Sequence, residues 1–162
     1  HGKFRRQRQM CIRDSPYTLK KDSLGNKIKP FGINNDPLEV VKIVDTEKGK
    51  AIRISGVAWG MIYTKKDYED YHLKLKMKWG EMMHYPRENG PRDSGLLYHG
   101  FGLPGISSPW MDSQELQIQE GDMGDYWPIG DVEIDVPSIS HKEPYYIYNK
   151  GGEMRNYYFA QY

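Results

Sequence analysis

Glu115, Gln117 and Gln119 fall at alternating positions in a short run, so a strand through them puts one acid and two amides on a single face. Gln offers both donor and acceptor, and ionised Glu accepts strongly, a combination that suits sugar hydroxyls. The same stripe also serves as an ordinary solvent-facing strand face. Trp110 stands before the run, and Glu120-Gly121-Asp122 and Gly124-Asp125-Tyr126-Trp127 follow it. Rings beside carboxylates suit a carbohydrate, the ring covering C–H faces while the acids take hydroxyls. Alternatively Asp122 and Asp125 are turn residues and Trp127 is a core anchor. The loop has oxygen ligands for a divalent cation such as Ca²⁺, but its spacing is not that of an EF-hand. Upstream, His99 ends an apolar stretch before Gly100 and is placed to act as a general base or to be a bystander. Arg92, in Arg92-Asp93-Ser94, either orders its loop by pairing with Asp93 or faces an oxyanion.

Other chemistries are excluded by spacing. The chain has no HExxH, GxSxG, Walker loop or GxGxxG, and His72, His84 and His141 stand at no ligand spacing. Its single cysteine, Cys11, permits neither a disulfide framework nor a Cys-based zinc site. Glu133-Ile134-Asp135 has the alternating acids of a laminarinase-type glycosidase strand. Such a strand needs a further acid at position 137 or 138, where this chain has Pro137 and Ser138. The carboxylate pair of a retaining glycosidase is therefore not present on it.

The elements that position these residues are short. Residues 39–44 and 51–54 read as strands joined by a polar turn containing Gly49, and residues 59–63 follow Gly56. The strongest alternation is residues 71–79: Tyr71, Leu73, Leu75, Met77 and Trp79 against His72, Lys74, Lys76 and Lys78. It predicts a strand with one face buried and one wet. Residues 94–98, 114–120, 132–136 and 145–148 are further β-like runs, and residues 16–37 read as loop. With no helical stripe, the pattern predicts an all-β sandwich or barrel of antiparallel strands.

The 162 residues allow one domain of ordinary size. Thirteen Tyr and four Trp supply core area that the 38% hydrophobic content alone would leave thin. No apolar run is long enough for a transmembrane helix. The net charge of +1 conceals an asymmetry, since residues 1–15 hold five basic side chains against Asp14. That end lacks the apolar stretch of a secretory signal. Residues 9–15, Gln-Met-Cys-Ile-Arg-Asp-Ser, resemble an in-frame reading of a transposase adaptor used in sequencing libraries. Residues 1–15 are thus expected to be adaptor-derived or disordered, residues 16–162 a partial β-sandwich, and the chain a metagenomic fragment. The near-neutral remainder points to no nucleic-acid partner.

Several blocks occur in order: Trp59-Gly60 with Thr64-Lys65-Lys66, Tyr71-His72-Leu73 through Lys78-Trp79-Gly80-Glu81, and Arg92-Asp93-Ser94-Gly95-Leu96-Leu97-Tyr98-His99. Trp110-Met111 then leads into residues 115–122 and 124–127. Across residues 36–137 these resemble the bacterial 3-keto-disaccharide hydrolase domain family. The resemblance implies a concanavalin-like β-jelly roll, periplasmic or secreted in its full-length parent, acting on 3-keto-glucosides or disaccharides made by a sugar 3-dehydrogenase. It implies lyase and hydratase chemistry, with base removal of the C2 proton, departure of the C1 aglycone and hydration of the resulting glucal. Family members continue with further strands, so this chain is expected to be a jelly roll truncated at its ends, with open edges. By residue chemistry, Glu115 or His99 is the base and Arg92 stabilises the enolate. Gln117, Gln119, Glu120, Trp110, Asp122 and Trp127 contact the substrate. No cofactor is required by this reading, and a divalent metal is left open. The alternatives are a noncatalytic carbohydrate-binding module and a laminarinase-like hydrolase.

Overall fold

The structure is a computed structural model that describes residues 23–24, 31–102, 110–142 and 145–158, together with the backbone of residues 12–17. Ten strands and no helix occur among the described residues, and every strand pairing is antiparallel. The all-β antiparallel expectation therefore holds there. The chain clusters into two units, one of residues 1–90 with 104–109 and the other of residues 91–103 with 110–162.

In the first unit, β1 (Ile12–Tyr17) pairs with β4 (Trp59–Thr64), and β2 (Val41–Thr46) with β3 (Gly49–Ile54). β1 takes up residues 12–15 of the run set apart on sequence, and its pairing says nothing of that run's origin. The β2–β3 hairpin closes because Gly49 adopts φ +107°, a left-handed conformation open to Gly without steric cost. Thr46 Oγ1 donates to the Gly49 carbonyl at 2.6 Å across that turn. Asp36 anchors the start of the hairpin, its two carboxylate oxygens accepting from Val40 N and Val41 N at 2.9 Å each. Val40 and Ala58 are buried.

Residues 71–79 depart from expectation. Among the described residues no strand pairs with them, and Tyr71, Leu73, Leu75 and Met77 are all exposed. Alternation sorts side chains onto two faces, but a strand also needs a neighbour to take its N–H and C=O groups. The ladders of this unit do not extend to this segment.

The second unit holds β5 (Asp93–Phe101), β6 (Asp112–Gln119) and β7 (Tyr126–Ile129), in that spatial order. It also holds β8 (Glu133–Lys142), β9 (Tyr145–Tyr148) and β10 (Glu153–Tyr158), ordered β10-β8-β9. β8 runs through Pro137 well beyond the expected residues 132–136, and β10 had no alternation to announce it. β10 pairs with β8 over six residues in an antiparallel ladder, and side chains reinforce that pairing on both faces. Ser138, almost wholly buried, shares a 2.8 Å hydrogen bond with the Tyr157 hydroxyl, and Arg155 lies 4.5 Å from the Tyr146 ring centroid. On the other face Asn156 donates to Asp135 at 3.0 Å across the β10–β8 pair, so the acid of the glycosidase-like strand is held in a cross-strand contact.

Candidate active site

Register fixes which residues of β5, β6 and β7 look the same way. Gly95 lies opposite Gln117, Leu97 opposite Glu115, and Asp93 opposite Gln119. On the far side of β6, Glu115 is opposite Trp127 and Ser113 opposite Ile129. Directly paired residues share a face. One face therefore carries Glu115, Gln117 and Gln119 down its middle strand, with Asp93 and Gly95 to one side and Trp127 to the other. Ser113 and Ile129, both buried, close the end of this face nearer β7's terminus. The acid–amide stripe read from the sequence thus stands on a central strand and is half-buried, not freely wet.

Glu115 is the perturbed group of this face. Its carboxyl leans one step along β5 from its paired Leu97 and lies over Gly95, in the space a Cβ there would fill. Burial of the carboxyl pushes its pKa up to about 7, and the Asp93 charge on the same face adds to the rise. A carboxylate that titrates near neutrality is suited to taking up a proton at physiological pH.

The rim of the face is held by charge-assisted hydrogen bonds. Arg92 Nε and Nη2 donate to Glu120 Oε1 at 3.0 and 2.8 Å, and Arg92 N donates to Oε2 at 2.9 Å. Glu120 N returns a bond to the Arg92 carbonyl at 3.0 Å. Side-chain hydrogen bonds from Arg92 hold the Glu120 carboxyl below its ordinary range. Arg92 and Glu120, expected at an enolate and at substrate respectively, thus meet each other where β5 begins and β6 ends. Asp122 accepts from Gln119 Nε2 at 2.7 Å, which orients that amide. Gln117 bonds the following loop through its backbone, donating to Asp125 O at 2.8 Å and accepting from Gly124 N at 2.9 Å.

His99 sits on β5 where the register with β6 shifts between Tyr98 and Phe101, and it takes φ 52°. A left-handed histidine in a bulge is a strained residue, and such strain clusters at functional sites. Its ring packs edge-on to Tyr98, with centroids 5.5 Å apart. Trp110 is half-buried beside the start of β6, and Trp127 is 42% exposed on the face itself. The structure therefore brings Glu115, Gln117, Gln119 and Trp127 together, with Arg92, Glu120 and Asp122 at their rim. Trp110 precedes the other end of β6, and His99 lies at the far end of β5.

Two contributors escape the sequence reading. Asp93 stands out there only as a partner for Arg92, although its alternation with Gly95 already places it on this face. Gly95 carries a signal as well, since an isolated Gly inside a strand marks close approach by another group. On the opposite face, the Tyr126 hydroxyl is buried with no hydrogen-bond partner among the described residues. Burial pushes its pKa up, with Tyr98 contributing. No three His, Cys, Asp or Glu side chains converge as metal ligands among the described residues.

Comparison with curated proteins and with solved structures returns no significant match. The family model of the 3-keto-alpha-glucoside-1,2-lyase-like domain matches residues 25–142. That match spans β2 to β8 and takes in the whole of the face built around Glu115, which supports a carbohydrate-related role. A polar strand face with a titrating acid and an exposed Trp is consistent with that match, and the chain belongs to the 3-keto-alpha-glucoside-1,2-lyase-like family.

Proposed function

We propose that the β5-β6-β7 face binds a 3-keto-glucoside and that Glu115 removes its C2 proton. A ketone at C3 acidifies the C2–H bond. The Glu115 carboxylate takes that proton, the electron pair forms the C1–C2 double bond, and the C1–oxygen bond breaks. The aglycone oxygen takes up a proton from Glu115 or from solvent as it leaves, which restores the carboxylate by direct transfer or exchange and gives a 2-hydroxy-3-keto-glucal. Water then adds across that double bond, its hydroxyl to C1 and its proton to C2. The observation that carries this reading is the half-buried Glu115 carboxyl on a central strand, opposite Trp127 and two residues from Gln117. Trp127 offers a ring for the sugar's C–H face, and Gln117 stands about 7 Å along the strand, where its amide donates to a hydroxyl or to the enolate oxygen. His99, at the strained end of β5 and outside the Glu115–Gln117–Trp127 group, is the alternative base. Arg92 acts through Glu120 to hold the rim.

The fold on this reading is a jelly roll, exported to the periplasm or secreted, and its substrate comes from an oxidoreductase that converts a glucoside C3 hydroxyl to a ketone. The test is aglycone release from a 3-keto-glucoside and from the matching unoxidised glucoside, each with and without a chelator. Release from the keto sugar alone is expected. Release from the plain glucoside replaces elimination with hydrolysis, and release from neither leaves a binding module as the better account. Loss of release on chelation adds a divalent metal to the site.

A further inference from the structure

We propose that Gly95 is a positioning residue, whose missing side chain is the seat in which the Glu115 carboxyl rests. The inference rests on the reading of Glu115 as base, and it concerns how the chain holds that base in place. A Cβ added at Gly95 would overlap Glu115 Oε1 and crowd its Cδ and Cγ. These are the outer atoms of one flexible side chain, so relief requires Glu115 to turn about its Cα–Cβ or Cβ–Cγ bond and leave this position.

Backbone conformation gives no competing reason for glycine here. Gly95 is not among the residues with positive φ, so its backbone is one that any residue adopts. Glycine inside a strand is otherwise unfavourable, because it gives up more chain entropy than alanine and packs nothing. Gly130 makes the contrast, since a Cβ there would likewise overlap Asp112, but Gly130 has φ +71° and its backbone needs glycine as well. At position 95 the space alone accounts for the residue. Asp93 and Leu97 flank the seat on the same face of β5, while β7 sets Trp127 opposite. Asp93 is the charged group that faces the seated carboxyl from the neighbouring strand.

The experiment uses the full 162-residue chain in four forms: unaltered, Gly95→Ala, Glu115→Ala and the double variant. Thermal midpoints are measured for all four, and the Glu115 carboxyl is titrated by carbon NMR in the two forms that keep it. Gly95→Ala is expected to lower the midpoint when Glu115 is present and to leave it unchanged or raised when residue 115 is Ala. It is also expected to move the Glu115 titration down toward the ordinary glutamate range, as the displaced carboxyl gains water. If Gly95→Ala does not fold, folding of the double variant supports the seat and failure of both overturns it. An equal loss of midpoint in both backgrounds, or an unmoved titration, overturns it too. Where the unaltered chain releases aglycone, Gly95→Ala is expected to cut kcat by about 100-fold. An unaltered chain that releases none defeats the base assignment and leaves the Gly95–Glu115 coupling to stand or fall on the midpoints.

Discussion

Replacing Glu115 with Gln keeps the side chain's size and removes its charge, and the structure sets both the sign and the scale of the effect. The folded-state pKa is about 7 against an ordinary 4.5, with burial the larger cause and Asp93 the smaller. Between those values the native chain holds a proton that the unfolded chain has released, so wild-type stability falls as pH rises through that window. Taken at face value the shift amounts to ~3 kcal/mol. The side chain is only half-buried, and solvent screening reduces this to about 1–2 kcal/mol. Glu115→Gln escapes the loss, because its amide does not ionise. The variant should therefore melt at nearly the wild-type offset at about pH 4 and gain on wild type by about 2–8 °C at about pH 8.5. The same change should cost about 10²–10⁴-fold in aglycone release, the range of a lost general base. Paired thermal melts across that pH range are the assay. A gap between variant and wild type that is constant with pH, or that narrows as pH rises, refutes the argument that this carboxyl is strained by burial.

Asp93→Asn removes the second cause of the Glu115 shift, so the rising limb of kcat/KM against pH should move to lower pH. An unmoved limb shows that the Asp93 charge is not felt at Glu115. Glu120→Gln takes away the carboxylate whose pKa Arg92 lowers. The wild type owes that pair stability at neutral pH and loses it as pH falls through the depressed pKa, so the variant should be less stable at neutrality with a shallower acid slope. Equal slopes in an acid-unfolding series count against it. Trp127→Ala should raise KM for a 3-keto-glucoside by about 3–10-fold, the worth of one ring contact, with kcat little changed. A fall in kcat with KM unchanged would place Trp127 in the chemistry instead of in binding.

The candidate site was more legible than the fold that carries it. Glu115, Gln117 and Gln119 shared a face because the side-chain period of a strand is two, and that reading needs no partner strand. The Gly49 hairpin was legible for a similar local reason. Long-range pairing was not. Arg92 meets Glu120, 28 residues further along the chain, only because Asp93 pairs with Gln119. β10 was invisible since Glu153, Met154, Arg155 and Asn156 alternate no apolar residues, and the ladder it makes with β8, reinforced by Tyr157 meeting Ser138 and Asn156 meeting Asp135, is a long-range pairing. Residues 71–79 show the converse. Their alternation was the strongest in the chain, yet pattern alone supplies no neighbour to complete a ladder. Gly95 was written in the sequence as a glycine within a strand, but its meaning depended on a carboxyl from the adjacent strand.

The central claim is that Glu115 breaks the C2–H bond of a 3-keto-glucoside. The most direct measurement is the kinetic isotope effect on aglycone release when the substrate carries deuterium at C2, compared in wild type and Glu115→Gln. A primary effect in the wild type, with release collapsing in the variant, is the predicted result. An isotope effect of unity with release intact in Glu115→Gln contradicts the account.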